Sequence, residues 1–499
     1  MPRWSPKMTL GVFLCFLVLC SAFSFAEPKE KDICEAMRKS TDFMMNEVSY
    51  RGGFLWRYSE DLSKQWGEVP ARKTQIWVQG ATKEVGQMFL DAYVITGDQY
   101  YLEKTKEVAN ALIWGQYPSG GWHYLIDFDM TGIQKWYDDV ASRCWGWEEH
   151  YHFYNNCTFD DNTTQGTTRF LMNVYMETLD PSYRAPLIKA LDFILEAQFP
   201  NGAWPQRFPL KYDFVKDGVP DYTSHYTYND GVISNSVYLL YDAWEQLGNE
   251  EYLKAALRGM DFHIISQLGS PQAGWANAYS HDMKPAQERT YEPAGLNTTR
   301  TTSNIRTLEN FYKITGDRRY LQPIPAALEW LDSAIINDDS SKKYTYKNRS
   351  MRYSHALFYE VGTNRPIYTH TEGTNIDNGR FYQSYEISET TENGYYDLDS
   401  FRKEFERVSA LSPQEARAEY EQEKIARKRN RLPAVTAEDI ESIISSMDNR
   451  GAWVIDVTLP NYVNPHLEGT VIRGIQTGTY INNMYKFLSL LRQMNQKKK

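Results

Sequence analysis

The sequence predicts an all-α dominated fold, an α/α toroid in which helix hairpins form a barrel while short strands and long loops form a cleft at one end. Three observations support this prediction: apolar residues at helical spacing, a recurring unit of two helices followed by a loop with Gly and Trp, and no alternating βαβ pattern or Gly-rich phosphate loop. A single hairpin cannot hide its apolar face, so successive hairpins are expected to stack or close into a ring.

The recurring unit appears three times in full and a fourth time in part. The predicted helix pairs are 85–93 with 100–113, 170–176 with 183–197, 236–246 with 252–267, and 304–314 with 320–335. The loops after the first three pairs carry Trp122, Trp204 and Trp275, which are separated by 82 and 71 residues. The repeat therefore accounts for most of the chain between 80 and 335.

The remainder of the chain has a different composition. Residues 340–400 are rich in Thr, Tyr, Asn and Gly, which predicts short strands and loops. Residues 401–430 carry 14 charges, 8 basic and 6 acidic, which favours a solvated charged helical insertion at about 401–447 over a partner-binding arm. A last helix at about 480–491 is expected to pack back on the toroid and close it, within a single catalytic domain at 27–499.

The amino terminus has the layout of a signal peptide at 1–26. Arg3 and Lys7 precede the apolar run 10–19, and small residues follow up to Ala26. The sequence therefore predicts a secreted or periplasmic protein with no stable membrane association. The alternative is an uncleaved anchor, because residues 8–26 are nearly long enough to span a bilayer.

Composition excludes some classes of protein. A net charge of −10 argues against a general nucleic-acid binder, and 42% hydrophobic residues argue against disorder as the main state. Aromatic residues make up 14% and suit sugar contacts as well as a core. After signal cleavage Cys34, Cys144 and Cys157 remain, so a monomer, the expected state, has a free thiol, and Cys144 with Cys157 is a possible disulfide.

Two clusters combine acids with Asn directly before predicted helices. Asp160-Asp161-Asn162 precedes a run of Thr and either caps a helix or presents oxygen ligands to a hard cation. Asn229-Asp230 follows an aromatic residue, and Asp230 is either a helix-terminal carboxylate or a ligand of a calcium shared with a substrate carboxylate. Asp161 and Asp230 are our candidate metal ligands.

Two further clusters are rich in donors. The loop 201–211 contains Trp204, Arg207 and Lys211, a stacking ring and cations that suit an anionic sugar, although Trp204 fits a core equally well. Arg289 lies between Glu288 and Glu292, and Asn364-Arg365 follows later. Such arginines are either salt-bridged structural residues or a fork of donors for a carboxylate.

Taken in order, these motifs resemble the pectate lyases of the tenth polysaccharide lyase family. The matching segments are Asn162–Gln165, Gly202–Gln206, Asn229-Asp230, Arg289–Glu292 and Asn364-Arg365, within roughly residues 70–375. The resemblance implies calcium-assisted β-elimination of α-1,4-polygalacturonate to 4,5-unsaturated oligogalacturonides.

The resemblance also implies roles for individual residues. Arg289 is the base that removes the proton at C5, and Asp230 is a calcium ligand with Asn229 beside the metal. Arg365 and Lys211 hold the galacturonate carboxylates, and Trp204 and Arg207 complete the predicted substrate site. A guanidinium is essentially always protonated, so from the residues alone Arg289 is equally an electrostatic clamp.

Two other functions fit the same residues. An α/α-toroid glycoside hydrolase would take two carboxylates from Asp160, Asp161, Asp230 and Glu292 to flank the scissile bond. A noncatalytic carbohydrate-binding protein would keep the Trp residues of the repeats without requiring Arg289 or Asp230. Only elimination leaves an unsaturated product, so the product distinguishes the three.

Overall fold

Helix hairpins dominate the computed structural model. It describes residues 28–144, 154–212, 214–216, 218–289, 291–346, 348–370, 382–388, 391–430, 432–459 and 469–497. The predicted signal peptide at 1–26 lies outside the described residues. The first to fourth hairpins are Lys83–Thr96 with Gln99–Trp114, Thr163–Thr178 with Arg184–Glu196, Val232–Leu247 with Glu250–Ile265, and Thr298–Thr315 with Ile324–Ser333. The hairpin prediction is confirmed, and with it the α/α toroid.

The turn inside each hairpin is determined locally. Gly97, Gly248 and Gly316 end their helices with φ close to 72°, a left-handed conformation that glycine adopts without strain. The Asp or Asn that follows caps the next helix, as Asp98 does by accepting a hydrogen bond from the Tyr100 N–H at 3.0 Å. In the first and third hairpins the turn is two residues long, so the two helices lie side by side.

The first helices of the hairpins pack against one another and form the inner wall of the ring. Thr163–Thr178 contacts both Lys83–Thr96 and Val232–Leu247, while the second helices of these hairpins lie outside. The helix Thr477–Lys497 packs against Lys83–Thr96 and against Glu30–Phe43, the first helix that the structure describes, where the Thr41 and Tyr480 hydroxyls are 2.9 Å apart. This last helix therefore joins the beginning and the end of the described chain.

Each Gly-Trp loop is held by one indole hydrogen bond. The Nε1–H groups of Trp122, Trp204 and Trp275 donate to the carbonyls of Leu112, Ile194 and His263 at 2.7–2.9 Å, and all three rings are 0% exposed. A further loop, not recognised from the sequence, repeats the arrangement when Trp453 donates to Ile443 at 2.9 Å. These bonds attach each loop to the end of the preceding helix.

The charged segment 401–447 is helical, as predicted, but it is not wholly solvated, because part of it packs against the ring. It lies within the helices Leu398–Ala410, Pro413–Asn430 and Ala437–Ser445, and Val408, Ala416 and Ile440 are 0% exposed. Its charges pair with the ring: the Lys313 Nζ lies 2.7 Å from a Glu419 oxygen. Composition alone does not show this packing, because the segment carries charges toward the ring as well as toward the solvent.

The strands are short, and most connect the loops at one end of the ring. Gln75–Trp77 pairs with Leu125–Asp127, Cys157–Thr158 pairs with Arg207–Phe208, and Tyr226–Thr227, Ala278–Tyr279 and Pro285–Ala286 form one sheet. Within 340–400 the predicted strands are found; the strands of this part are Lys343–Tyr346, Arg349–Arg352, His355–Ala356, Phe358–Tyr359, Pro366–His370, Tyr382–Ser384 and Asn393–Gly394. The remaining strands are Arg57–Ser59, Gln65–Trp66, Val215–Lys216, Val219–Pro220, Leu296–Asn297, Ile455–Thr458 and Val471–Gln476.

The three cysteines within the described residues are free. Cys34, Cys144 and Cys157 are all thiols, so the possible Cys144–Cys157 disulfide is absent from the structure. The buried Cys157 Sγ instead lies 3.3 Å from the Ser119 hydroxyl. Within the described residues, the helices lack the length and hydropathy that a membrane span needs.

Candidate functional site

Two equivalent turns meet at one end of the ring, just before the inner helices of the second and third hairpins. Asp161 and Asp230 adopt nearly identical left-handed conformations, with φ of 50° and 47°. In each turn a threonine hydroxyl accepts from a backbone N–H two residues on: Thr158 from Asp160 at 3.1 Å, and Thr227 from Asn229 at 3.0 Å. The turns therefore bring their acids together at the positive ends of two helices.

Three carboxyl groups gather at this junction. Asp161 and Asp230 face the cleft, whereas Asp160 is 3% exposed and lies within hydrogen-bonding reach of Asp230. Desolvation and the neighbouring Asp160 carboxylate raise the pKa of Asp230 to about 9. Like charges this close need either a proton or a cation between them, so the junction is a place where a positive group binds.

Arg289 is the cation that the structure supplies there. Its guanidinium lies 3.4 Å from an Asp160 oxygen and 3.3 Å from a Glu292 oxygen, and the residue is 8% exposed. Burial alone would raise the pKa of Asp160, but Arg289 and hydrogen bonds hold it below the ordinary value. Arg289 and Asp230 were predicted as site residues, and in the structure both lie next to Asp160.

Other contacts fix the orientation of this centre. The Tyr124 hydroxyl donates to Asp160, and the Arg289 Cζ lies 5.6 Å from the centre of the Tyr222 ring. The Asn229 amide donates to Glu292 at 3.0 Å. Asn229, which was predicted to lie beside the metal, thus contacts Glu292, the ion-pair partner of Arg289.

Glu288 lies next to the same cluster of acids. It is 6% exposed, and one of its oxygens accepts from the Thr227 hydroxyl at 2.6 Å. Burial, followed by the nearby Glu292, raises its pKa to about 8. Arg300, in the first turn of the helix Thr298–Thr315, interacts electrostatically with Glu288 and Asp230.

Sequence reasoning missed several of these residues. Asp160 was one of a cluster of acids, but Asp161 was chosen as the ligand because nothing in the sequence showed which of the two is buried. Tyr124 is two residues after Trp122 in the first Gly-Trp loop, and this spacing is the one signal for it. Arg300 had no motif around it.

The structure separates Trp204 from the substrate site. Its ring is 0% exposed and its N–H is used by the Ile194 carbonyl, so it cannot stack on a sugar. The prediction that Trp204 binds substrate is therefore wrong, and Trp204 is a core residue. Arg207 is 2% exposed and lies beneath the site, with its Cζ 5.8 Å from the Tyr124 ring and its charge acting on Asp160.

Two predicted carboxylate binders lie outside the cluster of acids. Lys211 is exposed in the loop after Arg207–Phe208. Arg365 is exposed in the turn before Pro366–His370, and its Cζ lies 3.6 Å from the Tyr385 ring centre. In the described part of the chain, neither makes an ion pair with Asp160 or Asp230.

Comparison with known proteins identifies related chains. The family model described as pectic acid lyase matches residues 134–404, more than half of the chain. No curated protein matches. Among solved structures, a mutant family 10 polysaccharide lyase from Cellvibrio cellulosa, in complex with trigalacturonic acid, is 18% identical with a TM-score of 0.43, covering 65% of this chain and 98% of its own. The GH76 α-mannanase from Bacteroides thetaiotaomicron is 10% identical with a TM-score of 0.40, covering 94% and 98%.

Proposed function

Because this chain belongs to the pectic acid lyase family, we propose that it is a secreted pectate lyase that cleaves α-1,4-polygalacturonate by calcium-assisted β-elimination. The observation that supports this reaction is the position of Arg289 between Asp160 and Glu292, beside Asp230. A polysaccharide lyase needs a cation next to the sugar carboxylate, and this centre combines a fixed cation with acids that attract a second one.

The reaction removes the proton from C5, breaks the bond between C4 and its glycosidic oxygen, and forms a double bond between C4 and C5. The departing oxygen takes a proton from solvent. The C5 proton is weakly acidic because the adjacent carboxylate is negative, so positive charge at that carboxylate lowers the barrier. Arg289 supplies such charge from a buried, oriented position.

Arg289 is the proposed base, as the family resemblance implies. Its ion pairs with Asp160 and Glu292 favour the protonated guanidinium, which supports the alternative role of a clamp on the developing negative charge. The base role requires the guanidine group itself, whereas the clamp role requires only a positive charge at this position. They differ in whether a lysine, which keeps the charge, retains activity.

Calcium is the proposed cofactor, and the acids fit it. Asp161 and Asp230, which are exposed where the two turns meet, offer the hard oxygens that calcium prefers. No group of three His, Cys, Asp or Glu side chains among the described residues could hold a metal ion, so water and substrate oxygens would complete its shell. When bound, calcium neutralises the sugar carboxylate and acidifies the C5 proton.

The test is an absorbance assay on polygalacturonate with and without calcium. We expect a product that absorbs in the near ultraviolet, loss of turnover with a chelator, and recovery on adding calcium. New reducing ends without absorbance would identify a hydrolase and overturn the proposal. Turnover that a chelator does not affect would agree with the lyase activity but contradict the role of calcium.

A further inference from the structure

A stacked aromatic pair lies exposed at the cleft end of the ring, away from the cluster of acids. Trp114 ends the outer helix of the first hairpin and is 51% exposed, whereas the Trp residues of the Gly-Trp loops are buried. Its ring lies on Phe128 with centroids 4.4 Å apart and planes at 29°. One face of Trp114 is thus supported, and the residue still exposes a broad apolar surface.

The turn 50–53 holds this pair in place. The Tyr50 ring lies 5.7 Å from Phe128, and the Arg51 Cζ lies 5.3 Å from the same ring. Gly52 approaches the Glu107 carbonyl so closely, at a φ of 85°, that a Cβ there would lie 2.7 Å from the oxygen. The turn therefore packs tightly against the helix that ends at Trp114. We call the group of Tyr50, Arg51, Trp114 and Phe128 the aromatic platform.

The charge of the platform favours an acidic ligand. The nearby Asp129 is paired with Arg72 at 3.0 Å, whereas Arg51 makes no ion pair with any described residue. Lys73 is exposed next to Thr74, whose carbonyl accepts from the Phe128 N–H at 3.0 Å. Arg51 thus places a cation beside the apolar ring of Phe128, a combination that suits a sugar carrying a carboxylate.

A two-stranded sheet connects the platform to the catalytic centre. Phe128 directly follows Leu125–Asp127, which pairs with Gln75–Trp77. Gln79, two residues beyond the latter strand, donates to Asp161 at 3.3 Å. Thr74 to Gln79 spans at most about 17 Å of extended chain, so the platform lies close enough to the centre for one polysaccharide chain to reach both.

We propose that the aromatic platform is a second binding site for the acidic polysaccharide, outside the catalytic centre. The exposed face of Trp114 stacks on one uronic acid ring, and Arg51 pairs with that ring's carboxylate. The site keeps a long chain attached while another segment occupies the centre. This inference rests on the proposed function for the identity of the sugar.

The experiment compares Trp114→Ala and Arg51→Gln with Val94→Ala, a control that trims an exposed apolar residue in the inner helix of the same hairpin. Retardation is measured in gels that contain polygalacturonate, fully methyl-esterified pectin or dextran, and kinetics are measured on polymer and on trigalacturonate. We expect Trp114→Ala to raise KM for the polymer about three- to tenfold, with kcat and turnover of the trimer unchanged. Arg51→Gln should weaken retardation by polygalacturonate only.

Equal behaviour of Trp114→Ala and Val94→Ala on the polymer would overturn the proposal. Equal losses on polymer and trimer would also overturn it, because the damage would then lie at the catalytic centre. If the wild type turns over neither substrate but Trp114 still controls retardation by polygalacturonate, the platform stands and the proposed function fails.

Discussion

Replacement of Arg289 tests both the chemistry and the electrostatics of the site. Arg289→Ala removes the cation that separates Asp160 from Glu292, whereas Arg289→Lys keeps the charge but removes the planar fork. We expect both variants to lose the unsaturated product, by about 1,000-fold or more if Arg289 is the base. We expect only Arg289→Ala to lose much stability.

The expected stability loss follows from the distances. A charge pair at 3.4 Å interacts by about 5 kcal/mol at an effective dielectric constant near 20. Burial of the guanidinium offsets part of this, and breaking a buried pair typically costs about 3–5 kcal/mol because the remaining charge is uncompensated. Arg289→Ala should therefore unfold at a clearly lower denaturant concentration, whereas Arg289→Lys keeps the charge and should lose less stability.

The measurements are near-ultraviolet absorbance on polygalacturonate and urea unfolding of each variant. Arg306→Ala is the control, because Arg306 is exposed in the helix Thr298–Thr315 and lies over Phe401. Near-wild-type turnover by Arg289→Lys would refute the base and support the clamp. Wild-type stability of Arg289→Ala would refute the claim that Arg289 neutralises these acids.

Three other predictions concern pH, the acids and the core. Burial raises the pKa of Glu309 to about 7, so the wild type loses stability as pH rises from the unfolded value near 4.5 through 7. Glu309→Gln should therefore be about 2–3 kcal/mol more stable than the wild type at pH 8 and equally stable at pH 4. Urea unfolding at both pH values measures this difference. A pH-independent difference would contradict this. Asp160→Asn should lower the melting temperature more than Asp161→Asn, because Asp160 alone is buried against Arg289; the reverse order in calorimetry would show that we have misplaced the buried acid. Trp204→Phe should lower the free energy of unfolding by about 1 kcal/mol without changing KM. A raised KM would show that Trp204 does contribute to substrate binding.

The ring could be predicted from sequence because its signals are local. The spacing of apolar residues and turns such as Thr96-Gly97-Asp98 depend on neighbours in the chain. The helices at 398–430 were misjudged because their pairing with Lys313 and Glu245 is distant in sequence.

The site could be predicted only as a set of motifs. Arg289 and Asp230 stood out because acids, Asn and Arg cluster around them, and the family resemblance linked them. That Asp160 is the buried acid and Asp161 the exposed one depends on a left-handed turn, and the burial of Trp204 depends on a hydrogen bond across ten residues. Neither has a signature in residue type.

The evolution of the loops depends on four indole hydrogen bonds, those of Trp122, Trp204, Trp275 and Trp453. Each one closes a segment of 10 to 12 residues onto its own helix, so the chain that follows is anchored before it departs. An insertion beyond the anchor adds only a slowly growing loop-closure cost. During evolution, segments at the cleft end can therefore change in length or sequence while the helices keep their register. A change in sugar specificity then requires changes only at this end of the ring.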